Sequence, residues 1–215
     1  VDKFEGDAII AFWGAPLDNP DHARDGCHAA LDMQERNAEM RNVLREQKRP
    51  ILYTRMGINS GPIVVGNMGS ATKTDYTIMG DNVNLAARLE GANKFYKTYS
   101  MIAENTYKLA KDTIDVRYLD IVRVVGKNEP VKIYQLLAKK NELSGEMEGV
   151  LENYVKGIQC YQDLNFKEAI SHFENALKLV PEDGPSLTYI DRCKIYLEQP
   201  PDSDWDGVFT FTEKG

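Results

Sequence analysis

The chain has 215 residues, with 33 acidic against 26 basic side chains for a net charge of −7, and it is 42% hydrophobic and 9% aromatic. That composition belongs to a globular chain and excludes disorder, collagen-like repeats and mucin-like stalks, while the length closes one moderate core plus a small appendage without disulfide help. The acidic balance argues against a general nucleic-acid surface and leaves room for a local basic site that takes one anionic ligand, such as a small nucleotide.

Val1 to Trp13 reads as a β-hairpin around the turn signal Glu5-Gly6. The chain opens inside an element and without Met, as expected of a piece whose upstream part has been cut away. Asn19 followed by Pro20 predicts a helix start, with Asn19 as the cap and Pro20 in the first turn. An amphipathic pattern then runs through Ala23, Cys27, Leu31, Ala38 and Leu44 to about Lys48. Ile51 to Ile58 and Pro62 to Val65, punctuated by Gly57, Gly61, Gly66 and Gly69, predict a second hairpin. A strand from Tyr76 then leads to a helix over Asn82 to Phe95 with Asp81 as its cap. A helix near Glu104 to Lys111 and strands over Val116 to Val125 and Val131 to Leu137 follow. This alternation favours an α/β sandwich with helices against a sheet.

At Lys139-Lys140-Asn141 the composition changes to a polar linker. Beyond it, Gly157, Tyr161, Ala169, Phe173, Ala176 and Pro181 fall at the offsets of a tetratricopeptide unit, with a third helix over about Pro185 to Leu197 as its cap; a generic helical hairpin is the alternative. Pro200-Pro201 ends that helix. The tail over Asp204 to Thr212 reads as a short strand or strap that packs Trp205 and Phe209 against something, or else as a disordered terminus. The expected organisation is residues 1–139, 140–199 and 200–215.

Several common signatures are missing: GxxxxGK[ST], GxGxxG, GxSxG and HExxH do not occur. Cys27, Cys160 and Cys193 are odd in number, far apart and without CxxC spacing, which indicates neither a disulfide framework nor a thiolate zinc site and points to a reducing, cytoplasmic compartment. His22 and His28, six apart on one helix, do not share a face and read as surface histidines. No apolar run approaches the roughly 18 residues of a membrane span. A membrane anchor of the parent would have to lie upstream.

Three segments stand out together: KFEGD at Lys3 to Asp7, GINSG at Gly57 to Gly61, and YTIMGDNVNLAARLE at Tyr76 to Glu90. With VVGKNEPVKIYQL downstream at Val124 to Leu136, this ordered set resembles the catalytic domain of the class III nucleotidyl cyclases, of the bacterial adenylyl cyclase type, across roughly the first 137 residues. The resemblance implies a ferredoxin-like α/β sandwich, here without its first strand and following helices, that dimerises with active sites at the interface.

It also implies roles. Asp7 becomes a ligand for the family's two Mg²⁺ or Mn²⁺ ions, a task that suits a carboxylate on a tight turn because hard cations want oxygen ligands. The second metal aspartate belongs on a strand that this sequence does not contain, so the chain alone is expected to be nearly inactive. Lys3 and Thr77 occupy the base-selecting positions, and the pair matches adenine, which offers an acceptor at N1 and a donor at its amine. ATP is the implied substrate. Asn84 and Arg88, four apart on one helix face, are the catalytic pair by resemblance: Asn84 orients the ribose and Arg88 stabilises charge on the α-phosphate. For the β- and γ-phosphates the family often carries Lys-Gly-Lys where this chain has Val125-Gly126-Lys127, which leaves Arg123 and Lys127 as candidate substitutes. The implied state is a homodimer, with the helical unit serving dimer support or a protein partner. A non-catalytic cyclase-like module that binds nucleotide or a protein is the alternative.

Overall fold

The computed structural model describes residues 1–70, 72–123, 130–202 and 205–210. A hairpin opens it: β1 (Lys3–Glu5) and β2 (Ala8–Ile10) pair antiparallel around Gly6 and Asp7. Helix α1 (His22–Glu46) follows. It starts two residues later than Asn19 predicts, because Asn19 spends its side chain on a turn before the helix. Its Oδ1 accepts the Asp21 N–H at 2.9 Å and its amide donates to Asp25 at 3.0 Å.

β3 (Met56–Ile58) does not form the expected hairpin with the strand after it. It pairs parallel with β6 (Ser100–Ala103), and β4 (Val64–Ser70) instead forms a long antiparallel arm with β5 (Lys73–Met79). After α2 (Asp81–Tyr96), β6 and α3 (Glu104–Ala110), strands β7 (Ile114–Arg123) and β8 (Val131–Lys139) run antiparallel. With the tail strand β9 (Phe209–Thr210), the sheet has the order β3-β6-β8-β7-β9.

Helices cover both faces of this sheet, in line with the α/β sandwich that the alternation predicts. Alternating side chains of β6 settle which helix goes where. Met101 and Ala103 pack under Leu85, Leu89, Ala92 and Tyr96 of α2, whereas Ile102 packs with Ala23, Cys27 and Ala30 of α1 and Ala110 of α3. Burial pushes the Cys27 thiol up to about 12, as befits a core side chain. The histidines are half-buried rather than on the surface: His22 and His28 each engage a backbone carbonyl, at Asn19 and Thr113 respectively.

Three helices complete the chain: α4 (Gly145–Gln162), α5 (Phe166–Leu179) and α6 (Gly184–Glu198). Their shared core stacks Phe173 on Tyr189 and sets Tyr154 and Tyr161 edge-on to Tyr189, with Ala169 fully buried between them. Trp205 packs on Tyr161 and Tyr196. The tail therefore straps onto the body over its described residues, and β9 pairs parallel with β7.

Two buried ion pairs join α6 and its preceding turn to the sheet. Arg192 pairs with Asp120 of β7, donates to the Tyr96 hydroxyl at 3.1 Å and lies 4.0 Å from the Phe209 ring centroid. Arg117 of β7 pairs with Asp183 at 2.8 Å and donates to Gln135 at 2.6 Å. All four charged side chains are nearly or fully buried. Lys139-Lys140-Asn141 is accordingly a pinned corner and not a loose linker: Lys139 reaches Asp32 at 2.6 Å, while Lys140 and the Asn141 N–H both engage Asp115.

Removing one partner of a buried pair strands the other charge, which typically costs about 3–5 kcal/mol. Arg192→Ala should lower unfolding stability by about that amount in urea titration, and a loss under about 1 kcal/mol would show that the pair carries no such weight.

Candidate active site

Everything at the site is organised by where α2 sits. Gly57 on β3 lies against that helix: a Cβ there would fall 2.1 Å from the Ala86 carbonyl oxygen and 2.3 Å from the Glu90 nitrogen. Any other residue pushes the helix away. The rest of the GINSG segment holds the helix start, since the Asn59 amide donates to the Asn82 carbonyl and side-chain oxygen, both at 3.1 Å, and the Asn82 amide donates to the Pro62 carbonyl at 2.9 Å. Asp81 is not the cap. Gly80 holds that position at φ +141°, a conformation suited to glycine, and its carbonyl accepts from the N–H groups of Val83 and Asn84. Asp81 sits in the first turn, where a carboxylate favours the helix dipole. At the other end the buried Asn93 amide donates to Met56 and Leu89 carbonyls, both at 3.0 Å, and its oxygen accepts the Thr98 hydroxyl at 2.8 Å.

So held, α2 presents Asn84 exposed and Arg88 half-buried on one face. Among the described residues neither side chain has a hydrogen-bond or ion-pair partner. The nearby acid Glu90 pairs with Arg55 at 3.0 Å instead. A guanidinium without a protein partner is free to meet an anion.

Thr77 and Lys3 come together. Thr77, buried in β5, donates its hydroxyl to Asp2 at 2.9 Å, and the Lys3 ammonium lies 3.7 Å from the same carboxylate oxygen. Asp2 was not singled out by sequence reasoning, because strand alternation puts it on the face opposite Lys3. Asp7 is exposed at the hairpin turn, and none of the hydrogen bonds or ion pairs among the described residues involves its carboxylate. That fits an oxygen ligand waiting for a hard cation.

The phosphate end differs from expectation. Arg123 is ion-paired with Asp206 of the tail at 2.8 Å, and the Val208 N–H together with that guanidinium holds the Asp206 carboxyl below its usual range. Lys127, with Val125 and Gly126, lies outside the described residues. Away from this region, Cys160, Glu168 and His172 bring ligand atoms within 4.8 Å of one another on α4 and α5. Desolvation and the Glu168 and Asp163 carboxylates push the Cys160 thiol up, and a protonated thiol is a poor ligand.

Residues 3–138 match the adenylate and guanylate cyclase catalytic domain. Adenylate cyclase 1 of Rhizobium meliloti is 36% identical over 135 residues, which is 63% of this chain and 20% of that protein. The terminal-differentiation specific adenylate cyclase of Dictyostelium discoideum is 32% identical over 197 residues, 90% of this chain and 9% of that protein, so the likeness continues into the helical unit. The chain thus spans a fifth or less of the length of these relatives. The crystal structure of the adenylyl cyclase CyaB from P. aeruginosa superposes with a TM-score of 0.59 at 35% identity, covering 66% of this chain and 74% of that one. A guanylyl cyclase structure gives the same TM-score at 30% identity, with 66% and 72% covered. By sequence and by fold, the chain belongs to the class III nucleotidyl cyclase catalytic-domain family.

Proposed function

We propose that this chain is the catalytic part of an adenylyl cyclase that converts ATP to 3′,5′-cyclic AMP and pyrophosphate. The observation that carries the reading is the meeting of Lys3 and Thr77 on one carboxylate, which sets an ammonium donor beside a hydroxyl whose lone pairs remain free. Adenine presents the complementary acceptor and donor. Asn84 orients the ribose. Arg88, unpartnered among the described residues, stabilises the charge that builds on the α-phosphate as the 3′-oxygen attacks and the bond to the β-phosphate breaks.

Asp7 is the residue that would hold a Mg²⁺ or Mn²⁺ ion. Divalent ions, when bound, activate the 3′-hydroxyl and brace the phosphates. The resemblance calls for a second aspartate that this sequence lacks, so these 215 residues alone should turn over slowly or not at all. Arg123 and Lys127 are the proposed triphosphate contacts, with Arg123 exchanging Asp206 for phosphate. The Arg123–Asp206 pair is also the observation favouring the second reading, a cyclase-like module that binds nucleotide or a protein without turnover.

The working unit is a homodimer with two equivalent sites, through the β4–β5 arm. Val64 and Met79 stand directly opposite each other on that arm, and both are exposed apolar side chains. The helical unit, which we read as of tetratricopeptide type, supports the dimer or takes a protein partner. Among the described residues no helix is long and apolar enough to cross a membrane. We place the catalytic part in the cytoplasm on its nucleotide substrate and the free thiols of Cys27, Cys160 and Cys193.

Product analysis of the full-length protein with Mn²⁺ should give cyclic AMP from ATP and little cyclic GMP from GTP; no product from a folded dimer would move the assignment to the non-catalytic reading. Asp7→Asn and Arg88→Ala should each lower kcat on the order of 100-fold or more. Because neither side chain has a partner among the described residues, both variants should melt within about 2 °C of the parent. Met79→Asp should shift the protein to monomer in sedimentation and remove turnover with it, and an unchanged dimer would refute the arm as the interface.

A further inference from the structure

A threonine hydroxyl is ambiguous. It carries one proton and two lone pairs, and it can turn to donate or to accept. Left free beside Lys3, Thr77 could accept from the adenine amine or donate to the guanine O6 carbonyl. On its own it would not choose between the two purines. In this structure the ambiguity is removed, because Thr77 donates its proton to Asp2 at 2.9 Å. The Asp2 side chain is 2% exposed and Thr77 itself is buried, so water cannot readily replace that acceptor. The Asp2 backbone is fixed as well, its N–H donating to Ile10 at 2.8 Å across the hairpin.

We infer that Asp2 is the positioning residue for purine choice: by taking the Thr77 proton it turns that hydroxyl into an acceptor, which welcomes the adenine amine and repels guanine O6. This rests on the adenylyl cyclase reading and adds to it a residue that touches no substrate atom. The same carboxylate lies 3.7 Å from the Lys3 ammonium, which also lies 3.9 Å from Glu5, so Lys3 is held between two carboxylates beside the Thr77 hydroxyl.

The test is nucleotide selectivity of the full-length protein, read as the ratio of kcat/KM for ATP over GTP and, separately, as equilibrium binding of non-cyclisable ATP and GTP analogues. Asp2→Ala should lower the ratio about tenfold, largely through KM, since the freed hydroxyl can donate to guanine. Asp2→Leu, which fills similar space without an acceptor, should do the same and stands in if alanine impairs folding. Asp2→Asn retains an acceptor oxygen and should stay within about threefold of the parent. In a Thr77→Ala background, Asp2→Ala should have no further effect on the ratio.

A parent that prefers ATP with an unchanged ratio in Asp2→Ala overturns the role of Asp2 alone. So does an equal loss in Asp2→Asn and Asp2→Ala, which would assign the effect to the charge on Lys3. A parent that prefers GTP or binds neither analogue overturns the adenylyl cyclase reading, and the inference falls with it.

Discussion

The distance between β3 and α2 is the constraint on which this molecule turns. A helix backbone can touch a strand only where the strand carries no side chain, and Gly57 provides that place against Ala86 and Glu90. With the contact made, Asn59 and Asn82 tie the start of the helix to the segment before it, and Asn93 ties its far end to the Met56 carbonyl of β3. Asn84 and Arg88 then need no partner in the fold. Their freedom is a product of how completely the rest of α2 is held.

The opposite end of the same helix is held from the sheet and from the helical unit together. Tyr96 donates to Asp120 at 2.7 Å and accepts from Arg192, and the Phe95 carbonyl accepts from Thr188 of α6. Buried ion pairs give little net stability, since desolvation consumes much of their attraction, but they tolerate only one arrangement. The helical unit is thereby fixed in orientation against the helix that carries Asn84 and Arg88. Any force applied to α6 reaches that helix without an intervening hinge.

The sequence was most legible where chemistry clusters locally. Lys3, Asp7, Thr77, Asn84 and Arg88 could all be read from short motifs, and the first hairpin, α2 and the β7–β8 pair followed from turn signals and periodicity. It was least legible where partners are distant. Glycine punctuation around residues 57–61 suggested a hairpin, whereas those glycines serve helix approach and β3 finds its partner some 40 residues later in β6. The same blindness turned Lys139-Lys140 into a linker, because Asp32 and Asp115 lie in other elements. Asp2 escaped notice for a subtler reason. Alternation predicts where a side chain leaves the strand, and it does not say which residue from a neighbouring arm will come to meet it.

The pinned corner at residues 139–141 also bears on how such proteins are assembled over evolution. Catalytic and helical parts that met only through a polar tether could be exchanged freely, each keeping its own surface. Here the sheet keeps Arg117 and Asp120 buried, and the helical part supplies their counter-charges, Asp183 and Arg192. A recombination event at this boundary would part Arg117 and Asp120 from those counter-charges and leave them Gln135 and Tyr96 as polar partners. Exchanging the helical part at this boundary therefore separates both pairs at once.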